Sequence, residues 1–382
     1  MAGPDWKIYR ALFPAVERRA YFGWASVAPL STRVVEACSA HLAGVRDEGA
    51  LIYRDWYATY DAVRDAAAKI LNARAPDEIA LLKNTSEGVS TIAFGLPLSA
   101  GDNVVLPLGE FPANAYPWLA LEARGIEVRR VPISPEGRYT ADDIAARIDR
   151  RTRVVALSFV NYATGFRADL ARIGKLCRGA GAFFFVDAIQ GLGVFPLDVE
   201  AMCIDGLAAD GHKWLCGPEG FALLYVRNNW IEKIRPISLG WWSVETPGRY
   251  DLDRQPLAEG ARRFECGTLT TCAAYGLRAA LELVLEVGVE NISLRVEELS
   301  AQLADGLRLG GCKLARAEGA GETSGIVAFG VPGKDARELA LKLEARGVFV
   351  NPRGGRLRAA VHAWNNAADV SRLLDALAEE CR

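Results

Sequence analysis

The residue with the most chemistry in this sequence is Lys213, in the run Asp210-Gly211-His212-Lys213. A lysine amine condenses with an aldehyde to a Schiff base, and burial or a neighbouring cation lowers its pKa toward the reactive neutral form. Upstream, Asp187 ends the apolar run 182–186, a place where an unpaired charge is costly. Thr85 and Ser86 stand where a helix should begin, so hydroxyls and free backbone N–H groups meet there, as a phosphate requires. The run Gly109-Glu110-Phe111-Pro112-Ala113-Asn114 adds an aromatic ring, and Asn161 and Gln190 add amides. Such a set suits an anionic aromatic cofactor that carries a carbonyl group. A ring nitrogen in it would stay protonated beside a carboxylate and let the ring accept electrons.

These groups become neighbours only if the elements before them are strands of one sheet. Apolar runs at 78–83, 103–108, 127–133, 153–161, 182–186, 206–209 and 221–227 read as strands. Amphipathic runs at 86–96, 113–124, 140–148 and 168–180 read as helices between them. Apolar strands alternating with helices predict an α/β fold with a mainly parallel sheet covered on both faces. Open sheets of this kind bind ligands at the carboxyl ends of their strands, where all these residues fall. From 273 to 309 the pattern turns helical, interrupted at Gly288 and Asn291. Strands at 325–329, 348–351 and 356–361 and helices at 334–346 and 369–380 then predict a smaller α+β unit. The expected division is a large domain, 18–284, and a small domain, 285–382 with 1–17.

The chain has 382 residues, 51% of them hydrophobic and 24% charged, with a formal net charge of −2. That balance does not point to nucleic acid or an anionic membrane surface. No run reaches the roughly 20 apolar residues that span a bilayer. The start, Met-Ala-Gly-Pro-Asp-Trp-Lys, lacks a basic segment followed by an apolar one, so a cytoplasmic location is expected. Eight cysteines form no CxxC pair and histidines number three, so neither a metal site nor a disulfide framework is expected. A nucleotide enzyme fares poorly, since neither GxGxxG after the first strand nor GxxxxGK[ST] occurs.

In this order and spacing, three segments resemble the class V aminotransferase family. That group includes cysteine desulfurases, selenocysteine lyase, isopenicillin N epimerase and kynureninase. Gly211-His212-Lys213-Trp214-Leu215 with Gly217-Pro218-Glu219-Gly220 is similar to the family's lysine signature. Val186-Asp187-Ala188-Ile189-Gln190-Gly191 resembles its pyridine-binding strand end, and Arg263-Phe264-Glu265-Cys266-Gly267-Thr268 the segment that reaches a neighbouring subunit's phosphate. The resemblance runs from about Tyr21 to the C-terminus. It implies a fold-type I, pyridoxal 5′-phosphate (PLP)-dependent homodimer acting on a small amino acid through an external aldimine and an α-carbanion.

By that resemblance Lys213 carries the cofactor and shuttles protons, and Asp187 pairs with the pyridine nitrogen. Gln190 approaches the ring hydroxyl, Asn161 lies on the same side, and Phe111 stacks on the ring. Thr85, Ser86, His212 and the partner-facing Thr268 bind phosphate. Arg358 takes the substrate α-carboxylate, with Ala25 as a further substrate contact. His212 counts with Lys213 and Asp187 among the catalytic residues.

Two positions depart from the family. Asp210 stands where many relatives have a phosphate-binding serine, so its carboxylate is expected to turn away or pair with a cation. No cysteine occurs from 325 to 357, where desulfurases carry one, so a persulfide-forming cysteine desulfurase is disfavoured. Transamination and β-elimination of a C–S or C–Se bond are the favoured outcomes. An epimerase and a non-catalytic PLP-binding protein are the alternatives. Trp241-Trp242 either lines the pocket or packs at a dimer interface, while Cys216, Cys266 and His362 read as structural.

Overall fold

The computed structural model describes residues 3–250 and 253–380; Cys381 lies outside them. After a short β1 (Ala20–Tyr21), the apolar runs become β2 (Ile79–Leu82), β3 (Asn103–Pro107), β4 (Glu127–Val131), β5 (Thr152–Ser158), β6 (Phe183–Asp187), β7 (Gly206–Asp210) and β8 (Ala222–Val226). They form one seven-stranded sheet in the order β2-β8-β7-β6-β5-β3-β4. Only β8 runs antiparallel to its neighbours. Every residue of β2, β3, β6, β7 and β8 is buried, because helices cover both faces. The fold is α/β, as the alternating pattern predicts.

Two long helices, Thr32–Glu48 and Tyr53–Leu71, escape the pattern reading and pack against helix Thr271–Val287. The first buries only Val34 and His41, and the second an alanine-rich face with Ala66, Ala67, Ile70 and Leu71, so both give a weak apolar signal. One close approach sets the site. A Cβ on Gly88 would lie 2.8 Å from the Ala208 Cβ, so glycine there lets helix Thr85–Gly95 settle onto β7 beside Asp210.

The C-terminal strands are β9 (Lys313–Leu314), β10 (Ile326–Gly330), β11 (Val348–Phe349), β12 (Asn351–Arg353) and β13 (Arg356–Ala360). Four of them form a second sheet, ordered β12-β13-β10-β9, while β11 pairs in parallel with β1. Ala20 and Phe22 thereby enter one apolar cluster with Leu303, Phe329, Leu357 and Leu373. Phe13 and Val16 belong instead to the cluster under the large sheet. Gly354 and Gly355 link β12 to β13 with φ of +57° and +75°. A two-residue hairpin turn with both φ positive matches strand twist, and glycine adopts it without strain.

Candidate active site

The carboxyl ends of β2, β6 and β7, with the loops after β3 and β5, bring the candidate residues into one connected shell. Helix Thr85–Gly95 is capped by Asn84, whose side chain accepts from the Glu87 N–H. First-turn N–H groups have no acceptor inside a helix, so those of Thr85 and Ser86 stay available. Thr85 is buried and its hydroxyl accepts from the Asp210 N–H at 2.9 Å; Ser86 is exposed at the helix start. The Asp210 carboxylate lies 2.8 Å from His212 Nδ1, poorly aligned for a hydrogen bond but close enough to pair with a protonated ring. It therefore sits beside a potential cation.

Asp187 closes β6 and pairs in register with Ser158 of β5. Its carboxylate is 2% exposed and accepts the Ile189 N–H at 3.1 Å. Burial pushes its pKa up to about 6, against the pull of that N–H and of Lys213. Lys213 moves the other way: burial outweighs the attraction of Asp187 and holds the amine down to about 8. Its Nζ lies 5.6 Å from the centre of the Phe111 ring, which meets Tyr162 edge-on at 5.1 Å. Next to Phe111, the half-buried Glu110 accepts from the Ser158 N–H and hydroxyl and from Asn114 Nδ2. Burial raises it to about 7.

The amides are more committed than their sequence roles imply. Asn161 Oδ1 accepts from the Ala163 and Thr164 N–H groups, and its Nδ2 donates to the Gly109 carbonyl. Gln190 accepts from Trp214 Nε1 at 2.7 Å and donates to the Ala25 carbonyl at 3.0 Å. Ala25, 1% exposed, enters the site through that carbonyl. Arg358, on β13, is 2% exposed and donates to the Tyr162 carbonyl at 2.7 Å and to Ser26 Oγ at 2.6 Å. Its Nε has no partner among the described residues. Four residues on from Arg358, His362 faces the Trp214 carbonyl at 3.1 Å through Nε2. Lysine loop, Gln190, Ala25-Ser26, Arg358 and His362 thus close a circuit of hydrogen bonds and chain.

Thr268 stands apart. It is exposed and lines a separate cavity of ≈ 780 Å³ with Tyr53, Trp56, Tyr57, Trp241 and Trp242. Its segment is held by Glu265, 1% exposed, which accepts both Arg64 bonds, the Leu81 N–H and Trp242 Nε1. Glu110, Tyr162, Trp214 and Ser26 received no role from sequence. Each adjoins a residue that did, Phe111, Asn161, Lys213 and Ala25 respectively, which was the available signal; the partners they bond are visible only in the fold.

The shell fits PLP. A buried carboxylate with one N–H donor suits a protonated ring nitrogen, a lysine with a depressed pKa suits an aldehyde, and hydroxyl plus helix start suit a phosphate. The sequence profile of the aminotransferase class-V family matches residues 20–373. A probable cysteine desulfurase of Methanothermobacter thermautotrophicus is 29% identical, with 96% of each chain covered. A cysteine desulfurase of Salmonella newport is 31% identical over 74% of this chain and 72% of its own. Among solved structures, the apo cysteine desulfurase of Thermococcus onnurineus NA1 superposes with a TM-score of 0.91 at 26% identity, covering 100% and 98% of the two chains. A lysine-to-alanine mutant of C-DES with glycine covalently linked to the PLP cofactor also gives a TM-score of 0.91, at 28% identity over 98% and 99%.

These relatives overturn the expectation that excludes a persulfide-forming desulfurase. That expectation rested on the missing cysteine between 325 and 357. A further structure, 27% identical, is of the cystine C–S lyase C-DES with its reaction product cysteine persulfide. A persulfide can therefore reside on a product amino acid, so a missing loop thiol does not exclude its formation.

Proposed function

Because this chain belongs to the aminotransferase class-V family of PLP-dependent enzymes, we propose that it cleaves the C–S bond of a small amino acid. The observation that carries this reading is the single shell joining Lys213, Phe111, Tyr162 and Arg358. Lys213 lies within electrostatic reach of the buried Arg358 guanidinium, which supports the reading, and the names of the relatives favour sulfur chemistry. PLP, when bound, supplies an electron-poor ring that stabilises negative charge at the substrate α-carbon.

In this proposal Arg358 takes the α-carboxylate through its remaining N–H groups, a planar fork suited to that anion. Lys213 anchors the cofactor, then removes and returns a proton at the α-carbon. Asp187 keeps the ring nitrogen protonated. Phe111 packs on the ring, and Asn161 and Gln190 hold the loops around it. Thr85, Ser86 and His212 receive the phosphate, with Asp210 orienting His212. The exposed Thr268 completes the site of a second copy in a homodimer. Ala25 presents its carbonyl at the substrate side.

The test is absorption and borohydride trapping of purified protein, followed by sulfur release from cysteine and cystine. Wild type should show a visible band that borohydride fixes covalently, and Lys213→Ala should lack it. No such band after PLP is added would remove Lys213 from its role. A band with no sulfur release, but with keto-acid formation or racemisation, would replace C–S cleavage by another reaction of the same site.

A further inference from the structure

Hairpin β12–β13 presents four polar side chains on one face. Asn351 pairs with Arg358 and Arg353 with Arg356, and strand alternation puts all four on the side opposite Pro352 and Leu357. Leu357 is buried in the small apolar cluster, so the polar face looks toward Ser26, Tyr162 and the lysine loop. Two of the four are engaged: Arg358 holds Tyr162 and Ser26, and Asn351 accepts from Ser26 Oγ at 3.0 Å. Arg356 forms neither an ion pair nor a side-chain hydrogen bond among the described residues, and its charge bears on Glu136. Arg353 is exposed, with neither an ion pair nor a side-chain hydrogen bond among the described residues. Its charge nevertheless reaches both Lys213 and Arg358 and opposes protonation of each.

We infer that Arg353 is a side-chain subsite that holds an anionic group beyond the β-carbon, so that the site selects amino acids carrying a second negative charge. The inference rests on Arg358 holding the α-carboxylate. That carboxylate offsets one guanidinium, and the second remains within electrostatic reach of Lys213 without a counter-ion. A side-chain anion supplies it. Arg353 precedes a tight turn on a long flexible stem, so it can meet a short acid such as aspartate or a carboxylate carried beyond sulfur, as in cystine. The two lengths are separate arms of the test.

Dissociation constants for L-aspartate and L-asparagine are measured on the holoenzyme from the change in its visible spectrum. kcat/KM is measured for L-cystine and for the mixed disulfide of L-cysteine with cysteamine, which keeps the disulfide and lacks the second carboxylate. Wild type should favour the member with two carboxylates in either pair by about three- to tenfold, the range of a partly exposed charge-assisted contact. In Arg353→Gln that ratio should fall toward one, and Arg353→Lys should keep part of it. A preference in the aspartate pair alone assigns a short acid, and in the cystine pair alone a sulfur-linked one. Equal ratios in wild type, or a ratio that survives Arg353→Gln, overturn the subsite. Equal loss for both members of a pair also overturns it and makes Arg353 part of the α-carboxylate contact. If no amino acid perturbs the wild-type spectrum, the assignments of Lys213 and Arg358 fail first and the subsite falls with them.

Discussion

Burial holds the Lys213 amine down to about 8 from 10.5. Covalent attachment to an aldehyde needs the neutral amine, whose fraction grows with pH. The rate at which apoprotein takes up PLP into a borohydride-fixable form should therefore be half-maximal near pH 8 and level off by about pH 9.5. A rate still climbing past pH 9.5 would mean a solvent-like lysine. Arg358 offers a second test. Arg358→Lys keeps the charge but loses the fork and one of the bonds to Tyr162 and Ser26. Affinity for amino acids, read from spectral titration, should drop by about tenfold or more, while the cofactor band persists.

Among elements, the hairpin and the segment ending at Thr268 carry the most consequence. Gly354→Val would force a branched residue to φ +57°, at a cost of about 1–2 kcal/mol for left-handed backbone. The melting temperature should fall, and amino-acid affinity with it, because Arg358 follows the hairpin register. Glu265→Ala should be harsher. It leaves Arg64, the Leu81 N–H and Trp242 without their shared acceptor, and breaking a buried pair costs about 3–5 kcal/mol. Urea unfolding would show that loss, and a change under about 1 kcal/mol would mean that water replaces the carboxylate.

Across the whole molecule, His362 links the small sheet to the lysine loop. It stacks on Trp214 and Trp364 and is fully buried. Burial holds its pKa down to about 3 from 6.5, so the unfolded chain takes up the proton first. The stability this contributes is whole above pH 6.5 and is lost as pH falls toward 3. Asp187 and Glu110, raised by burial, contribute the opposite slope, so the useful quantity is the difference between wild type and His362→Asn. Below about pH 6 wild type should lose more stability to acid than the variant; parallel curves would show a ring reached by solvent. We further propose that 285–382 with 1–17 forms one domain against 18–284: Phe13 and Val16 pack into the larger cluster, but Phe13 stacks there on Trp364 at 5.1 Å and Arg10 pairs with Asp369. Hydrogen exchange with and without an amino-acid ligand tests this through selective protection of the segments that join them.

Residue types and their order point to an anionic aromatic cofactor with a carbonyl group, since a costly carboxylate ends β6 and the lysine run follows β7; the resemblance to class V aminotransferases makes that cofactor PLP. The sheet was equally legible, because seven apolar runs separated by helices have few other ways to be buried on both faces. Sequence could not show that Gln190 and Asn161 are occupied, or that Ser26 meets Arg358 across 332 residues, because those bonds exist only once distant loops are packed together. The missing loop cysteine misled for a related reason: one absent thiol says little about where sulfur goes once a C–S bond breaks. Tertiary structure decided which cation is engaged and which is free. Arg353 and Arg358 are the same residue type, five positions apart in the chain. Only the hairpin register and the burial of one of them separate an anchored guanidinium from an open one.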